Sequence, residues 1–272
     1  MSIQSLSSMP TLFVPHGAPT FALRPDAAAS VMRRTAAALP VPRAIVIVSP
    51  HWETDIATVG FAERPETIHD FYGFPSALYE IDYPASGDPQ AARAVLAAIA
   101  QAGLPVAHSL SRGLDHGAWI PLRLMFPKAE VPVIPVSLPS HGGVKGAYAL
   151  GAALAALVGE GMLIIGSGNI THNLGDYRIA LQNGGQIPSY VRGFADWVAD
   201  KMAERDIEAL LDYRQQAPDA MQAHPSDEHL QPLYVAMGAA GRSAITERLH
   251  TGVSEHVLAM DAYAFHPARR AA

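Results

Sequence analysis

Short apolar runs rich in β-branched residues alternate with longer helical stretches along this chain. Thr11–Val14 (TLFV), Ala44–Val48 (AIVIV), Val131–Val136 (VPVIPV) and Met162–Ile165 (MLII) read as buried strands. Between them, Ala27–Leu39, Pro89–Ala102, Gly146–Val158 and Ser189–Ala203 carry Ala-rich or amphipathic helical patterns. That alternation predicts an α/β fold, with a largely parallel or mixed central sheet flanked by helices. No repeat, low-complexity tract or linker-like shift interrupts it, so residues 1–272 are expected to form a single domain. Arg64–Pro84, with its Pro, Gly and aromatic residues, reads as a long ordered loop over a site. Near the C-terminus, Pro225–Met237 reads as a helix with Ser226 as its N-cap. Ala244–Leu249 and Glu255–Met260 then look like short strands of an antiparallel edge.

Composition narrows the function classes. The chain has 272 residues, 49% hydrophobic and 16% charged, which supports a sizeable core and excludes a disordered protein. A formal charge of −6 without a basic stripe argues against nucleic acid as a partner. Cysteine is absent, which excludes disulfides, thiolate metal sites and a thiol nucleophile together. A transition metal here would have to use imidazole and carboxylate. The longest apolar run, Ala152–Val158, is far short of the roughly 20 residues that span a bilayer. No apolar region follows a charged start, and the first basic residue is Arg24. The expectation is a cytoplasmic protein with no membrane partner, monomeric or a small homo-oligomer.

The 12 histidines are not random with respect to this map. His16 follows the first strand and His51 the second, while His172 lies just beyond the Met162–Ile165 strand. Ligands of open α/β sheets bind in the crevice at the carboxyl ends of the strands, so three such histidines would share one crevice. Any one of them alone would read more readily as a hydrogen-bonded structural residue; the three together favour a metal site. His116 follows no clear strand and reads equally as a turn residue or a site residue beside Asp115. His224 and His229 bracket the start of the expected last long helix. Five positions turn a helix by about 140°, so only one of them would face a metal. His69 sits in the long loop as a candidate substrate contact.

These residues lie in blocks that resemble the class III extradiol ring-cleavage dioxygenases of the DOPA-dioxygenase branch, related to the protocatechuate 4,5-dioxygenase β-subunit. The blocks are P-H-G-A-P at Pro15–Pro19, S-P-H-W at Ser49–Trp52, T-I-H-D-F-Y-G-F-P at Thr67–Pro75 and L-D-H-G at Leu114–Gly117. They continue through G-S-G-N-I-T-H-N-L at Gly166–Leu174 and H-P-S-D-E-H-L-Q-P-L at His224–Leu233. The resemblance covers nearly the whole chain. It implies that His16, His51 and His229 hold the metal, that His172 is the acid/base beside it, and that His116 lies near substrate and oxygen. The wider family often uses a glutamate as third ligand, and this branch a histidine.

The implied reaction is ring opening of a catechol by O₂ at non-haem Fe(II), which needs three protein ligands on one face and open positions opposite. A neutral histidine such as His172 suits proton movement near pH 7. His69, Trp52, Tyr72 and His224 are secondary candidates for substrate contact. Trp52, Phe71, Tyr72 and Phe74 would line a pocket for the ring, although core packing explains any one of them equally well. The chief alternative is a zinc hydrolase, since three histidines and an open position also describe catalytic Zn(II), the metal a purified sample would more readily carry. A metal-dependent scaffold on the same fold is a third reading.

Overall fold

The computed structural model describes residues 9–267; the ends of the expected 1–272 domain lie outside them. The chain runs β1 (Thr11–Pro15), α1 (Ala27–Ala38), β2 (Ala44–Thr54), β3 (Ala57–Gly60), α2 (Pro89–Gln101), β4 (Val106–Ser109) and α3 (His116–Met125). It continues with β5 (Val133–Pro139), α4 (Gly143–Gly159), β6 (Met162–Gly168), α5 (Leu174–Gln182), α6 (Ser189–Glu204) and three short helices, α7 (Ile207–Leu211), α8 (Tyr213–Gln216) and α9 (Ala220–Ala223). The last elements are α10 (Gln231–Ala240), β7 (Ile245–His250), β8 (Val253–Ser254), β9 (Leu258–Ala259) and β10 (Ala262–His266).

Eight strands form one mixed sheet in the order β4-β3-β5-β2-β6-β1-β10-β7. Its centre, β5-β2-β6-β1, is parallel, and β10 and β7 add an antiparallel edge. Every residue of β1 and β6 is buried, whichever face it points to, so helices cover both faces. The pair α4 and α10 packs against β6, and α3, with α1 beside it, packs against β2 and β6. Continuous Val/Ile/Leu runs are what a strand between two helical layers requires. Asp26 and Asp88 cap α1 and α2 by accepting backbone N–H groups, which explains where those helices start. No helix among the described residues is long and apolar enough to cross a membrane.

Three local expectations fail. The expected helix over Pro225–Met237 begins only at Gln231, with Pro232 in its first turn, and Ser226 caps nothing. The 224–230 segment is a turn-rich loop in which the backbone N–H groups of Leu230 and Gln231 donate to Asp227 O. The rotation argument for His224 and His229 therefore does not apply, because neither residue is helical. Glu255–Met260 is not one strand: Glu255 and His256 have positive φ, and only Leu258–Ala259 pairs, with β8. The antiparallel edge is built instead from β7 and β10. Of the two readings left open for His116, the turn residue gives way: it is the first residue of α3, with Asp115 as its N-cap.

Candidate metal centre

Five imidazoles meet around the carboxyl ends of β1, β2 and β6. His16 follows β1, His51 lies near the end of β2, and His116 opens α3. His172 lies between β6 and α5, and His229 sits just before α10. The rings of His16, His51 and His229 form a nearly equilateral triangle, with centroid separations of 5.2, 5.4 and 5.1 Å. His116 stands 3.9 Å from His51 and 5.6 Å from His16 by the same measure. His172 stacks on His229. Two trios have donor atoms all within 4.8 Å of one another: His16, His51 and His116, and His172, Glu228 and His229.

Close backbone approaches bring these residues together. Asn169 N–H donates to His229 O at 3.0 Å, tying the loop before α10 to the end of β6. A Cβ on Gly168 would sit 2.3 Å from that same carbonyl, so only glycine permits the approach. A Cβ on Gly117 would lie 2.3 Å from Ser49 Oγ and 2.8 Å from His51 Cδ2. Asp115 binds the same junction from beneath. It accepts from Ser49 Oγ at 2.6 Å, from Arg112 at 2.7 Å and from Ala118 N at 3.1 Å. Arg112 also donates to His51 O and lies over the Trp52 ring at 5.0 Å. One half-buried ion pair thus joins the end of β2 to the start of α3.

The partners of each ring decide which nitrogen is available. Ser167 Oγ gives its one proton to Gly117 O, so it can only accept from His16 Nδ1, 3.0 Å away. His16 is therefore protonated on Nδ1 and presents a lone pair at Nε2. Glu228 Oε1 lies 2.9 Å from His229 Nδ1 and fixes the same tautomer there. Asp70 faces His51 Nδ1 at 3.6 Å and His116 Nδ1 at 3.0 Å. The second contact is short but poorly aligned as a hydrogen bond, so its effect is chiefly electrostatic.

Burial and mutual repulsion keep His16, His51, His172 and His229 neutral. Burial first, then the neighbouring histidines, push His16 and His229 well below the ordinary histidine range. Burial also lowers His51 and His172 to about 4. For Asp70, burial opposes ionisation, but its close contacts with the His116 ring and backbone N–H outweigh it and hold the carboxyl at about 2. The Nε2 atoms of His16 and His51 are 3.3 Å apart. With His16 protonated on Nδ1, its Nε2 lone pair faces His51 Nε2, and a cation held between these two ring nitrogens would find donors on both sides. Neutral imidazoles with carboxylate or hydroxyl partners behind them are a fitting donor set for a divalent transition metal.

The structure gathers His16, His51, His116, His172 and His229, and leaves the four secondary candidates outside the group. His224 is fully buried behind it and donates Nε2–H to Ile170 O at 2.7 Å, with its ring edge on Phe194. His69 turns to Ile81 O at 3.0 Å and packs with Phe71, Tyr79 and Trp119. Trp52 alternates with His51 along β2 and packs under Arg112, and Tyr72 is 91% exposed. Sequence reasoning missed Ser167, Asp70 and Glu228. Asp70 and Glu228 are each the immediate neighbour of a histidine singled out, and Ser167 sits inside the G-S-G block.

Residues 17–265 match the family described as the catalytic LigB subunit of aromatic ring-opening dioxygenase. The chain is 37% identical to the 4,5-DOPA dioxygenase extradiol of Beta vulgaris over 259 residues, covering 94% of this chain and 96% of that protein. It is 34% identical to the Escherichia coli K12 protein of the same name, covering 90% of each. A crystal structure of an uncharacterized Escherichia coli K12 protein superposes with a TM-score of 0.78 at 28% identity, covering 94% of this chain and 99% of that one. The chain belongs to the LigB family and is a class III extradiol aromatic ring-opening dioxygenase.

Proposed function

We propose that this enzyme uses Fe(II) to open catechol-type rings with O₂, acting on DOPA or a related catechol by 4,5-cleavage, with His16, His51 and His229 as the metal ligands. The observation that carries the ligand assignment is the near-equilateral triangle of these rings, two of which have their Nδ1 atoms committed to Ser167 and Glu228. The substrate class is supported by the two relatives named 4,5-DOPA dioxygenase extradiol, which align over nine-tenths or more of this chain.

Fe(II), when bound by the three imidazoles, supplies the redox path between an electron-rich catecholate and O₂, a path that d¹⁰ zinc lacks. The remaining work falls to the protein. His172 is neutral at pH 7 and stacked beside His229, so it can take a proton from an entering ring hydroxyl and return one during opening. Asp70 lies against His116 Nδ1, which leaves Nε2 free to accept a hydrogen bond from a substrate hydroxyl. Phe71, whose ring lies 5.7 Å from that of His116, offers an apolar edge to the aromatic ring.

Anaerobic loading with Fe(II), followed by a catechol panel with O₂ uptake measured, tests this reading. Expected is about one O₂ consumed per ring opened, as a dioxygenase requires, with a visible ring-opened product and no turnover by the Zn(II)-loaded protein. Turnover by the zinc form, or none by the iron form across the panel, would overturn the metal and substrate assignment.

A further inference from the structure

The T-I-H-D block puts His69 and Asp70 side by side, and it is Asp70 that reaches the metal centre. Its loop is stitched to the residues that precede α3. Ile68 N–H donates to Leu114 O and Leu114 N–H to Glu66 O, both at 2.7 Å, and Trp119 Nε1–H donates to Ile68 O at 3.0 Å. A Cβ on Gly113 would lie 2.3 Å from Glu66 O, so the two segments run in direct backbone contact. This anchoring delivers the Asp70 carboxylate to the N-terminus of α3. There Oδ1 accepts the His116 backbone N–H at 2.9 Å and lies 3.0 Å from His116 Nδ1, while Oδ2 faces His51 Nδ1 at 3.6 Å.

We propose that Asp70 is a positioning residue whose two carboxylate oxygens hold the protons of His51 and His116 on Nδ1, so that both rings present a lone pair at Nε2. The inference rests on the reading of His51 as a metal ligand. Oδ1 lies 3.0 Å from one ring nitrogen and Oδ2 3.6 Å from the other, and the rings are only 3.9 Å apart, so a single side chain reaches both the proposed ligand and the histidine beside it. An acceptor-only group is what this task needs. An amide at the same place could accept the backbone N–H of His116 through its oxygen, but its NH₂ would then point at a ring nitrogen and favour the opposite tautomer.

That asymmetry supplies the test. Asp70→Asn keeps an acceptor for the α3 N-terminus, whereas Asp70→Ala removes it. A purely structural role therefore ranks Asn as the milder change in both melting temperature and metal binding. The proposal ranks Asn milder in melting temperature and harsher in metal binding. Zn²⁺ affinity, measured on the full chain by chelator competition, is expected to fall about 10–100-fold in Asp70→Asn, the usual cost of losing a partner behind a ligand, and by less in Asp70→Ala. Histidine ¹⁵N spectra of the metal-free protein should show His51 and His116 as Nδ1–H in the wild type and at least one as Nε2–H in Asp70→Asn. Zn²⁺ affinity of Asp70→Asn within twofold of wild type, while His51→Ala abolishes binding, would overturn the role of Asp70 and leave the ligand assignment standing. A wild-type chain that takes up no Zn²⁺ would overturn both.

Discussion

His172 and His229 lie face to face, with ring centroids 3.5 Å apart and planes within 5° of parallel. A ring in that position shields one side of the proposed ligand. The stacking separates two roles, ligand and proton carrier, that the two histidines could otherwise share. His172→Phe retains an aromatic face against His229 but can neither accept nor deliver a proton. It should bind metal within about twofold of wild type and lose roughly 10²–10⁴ in kcat, the range associated with a general acid or base. Metal content measured after dialysis, beside steady-state rates at saturating catechol, decides the matter. Metal loss as deep as that of His16→Ala would make His172 a ligand instead.

Gly117→Ala should damage the centre although it adds no charge and removes no ligand. Alanine is favoured over glycine in helices by about 1 kcal/mol, so propensity alone predicts stabilisation. The added Cβ would instead lie 2.3 Å from Ser49 Oγ, a hydroxyl already committed to Asp115, and 2.8 Å from the His51 ring. Overpacking of this kind costs about 1–3 kcal/mol, and relief would come from shifting His51. Expected are a lower denaturation midpoint and weaker metal binding together. An unchanged midpoint would show that Ser49 can turn aside without loss.

Asp261 offers a pH test in a group whose titration the clustered histidines do not set. It is buried, receives Arg248 Nε–H at 2.7 Å, and is raised to about 6, because burial outweighs the attraction of Arg248. A carboxyl raised in the folded state from 3.8 binds more protons there than in the unfolded chain. Its contribution to stability is therefore present below about 4 and is lost as pH rises through about 6. The stability of the wild type relative to Asp261→Asn should fall across that window by up to ~3 kcal/mol, since each tenfold change in proton affinity is worth about 1.4 kcal/mol. Urea melts of both proteins at intervals across that pH range would show it. A difference that stays flat would mean that Arg248 fully compensates the buried charge.

Much of this architecture is legible in the amino-acid sequence, for a definite reason. Strands β1, β2, β5 and β6 are buried on both faces, so their apolar runs are uninterrupted and stand out. β3 and β4 are four residues each and lie toward the sheet's margin, where β3 joins β5 through the pair Val59 and Val136. Nothing in Ala57–Gly60 or Val106–Ser109 is long enough to signal a strand. The Pro225–Ser226 pair imitates a helix start, but the loop's backbone bonds to Asp227 hold it open until Gln231. At the centre, the histidines announce themselves by following strands. The groups that set their tautomers do not, because Ser167 and Asp70 act on His16, His51 and His116 from segments far away in sequence. His69 and Asp70 show the limit sharply: adjacent residues, of which the imidazole turns to Ile81 O and the carboxylate to the site.

Two histidines compete to complete the ligand set. His16 and His51 are shared by two arrangements, one closed by His229 through the ring triangle and one by His116, whose donor atoms lie within 4.8 Å of theirs. Four imidazoles on one metal would fill the positions that substrate and O₂ need, so one of the two must stand aside in the working enzyme. The surroundings favour His229 as the ligand. Its Nδ1 is held by a well-formed 2.9 Å hydrogen bond to Glu228, and its carbonyl is tied to Asn169 at the end of β6, which fixes the ring from both ends. His116 sits at the start of a helix, its Nδ1 contact to Asp70 poorly aligned, and its ring close to Phe71. Accordingly, His229→Ala should lose metal affinity at least about 100-fold, beyond the cost of losing an outer partner, whereas His116→Ala should keep it within a few-fold and lose turnover. Co(II) titrations followed by visible absorption give both affinity and coordination number without relying on activity. The opposite order of affinities would exchange the two roles, leaving His229 as the residue beside the substrate.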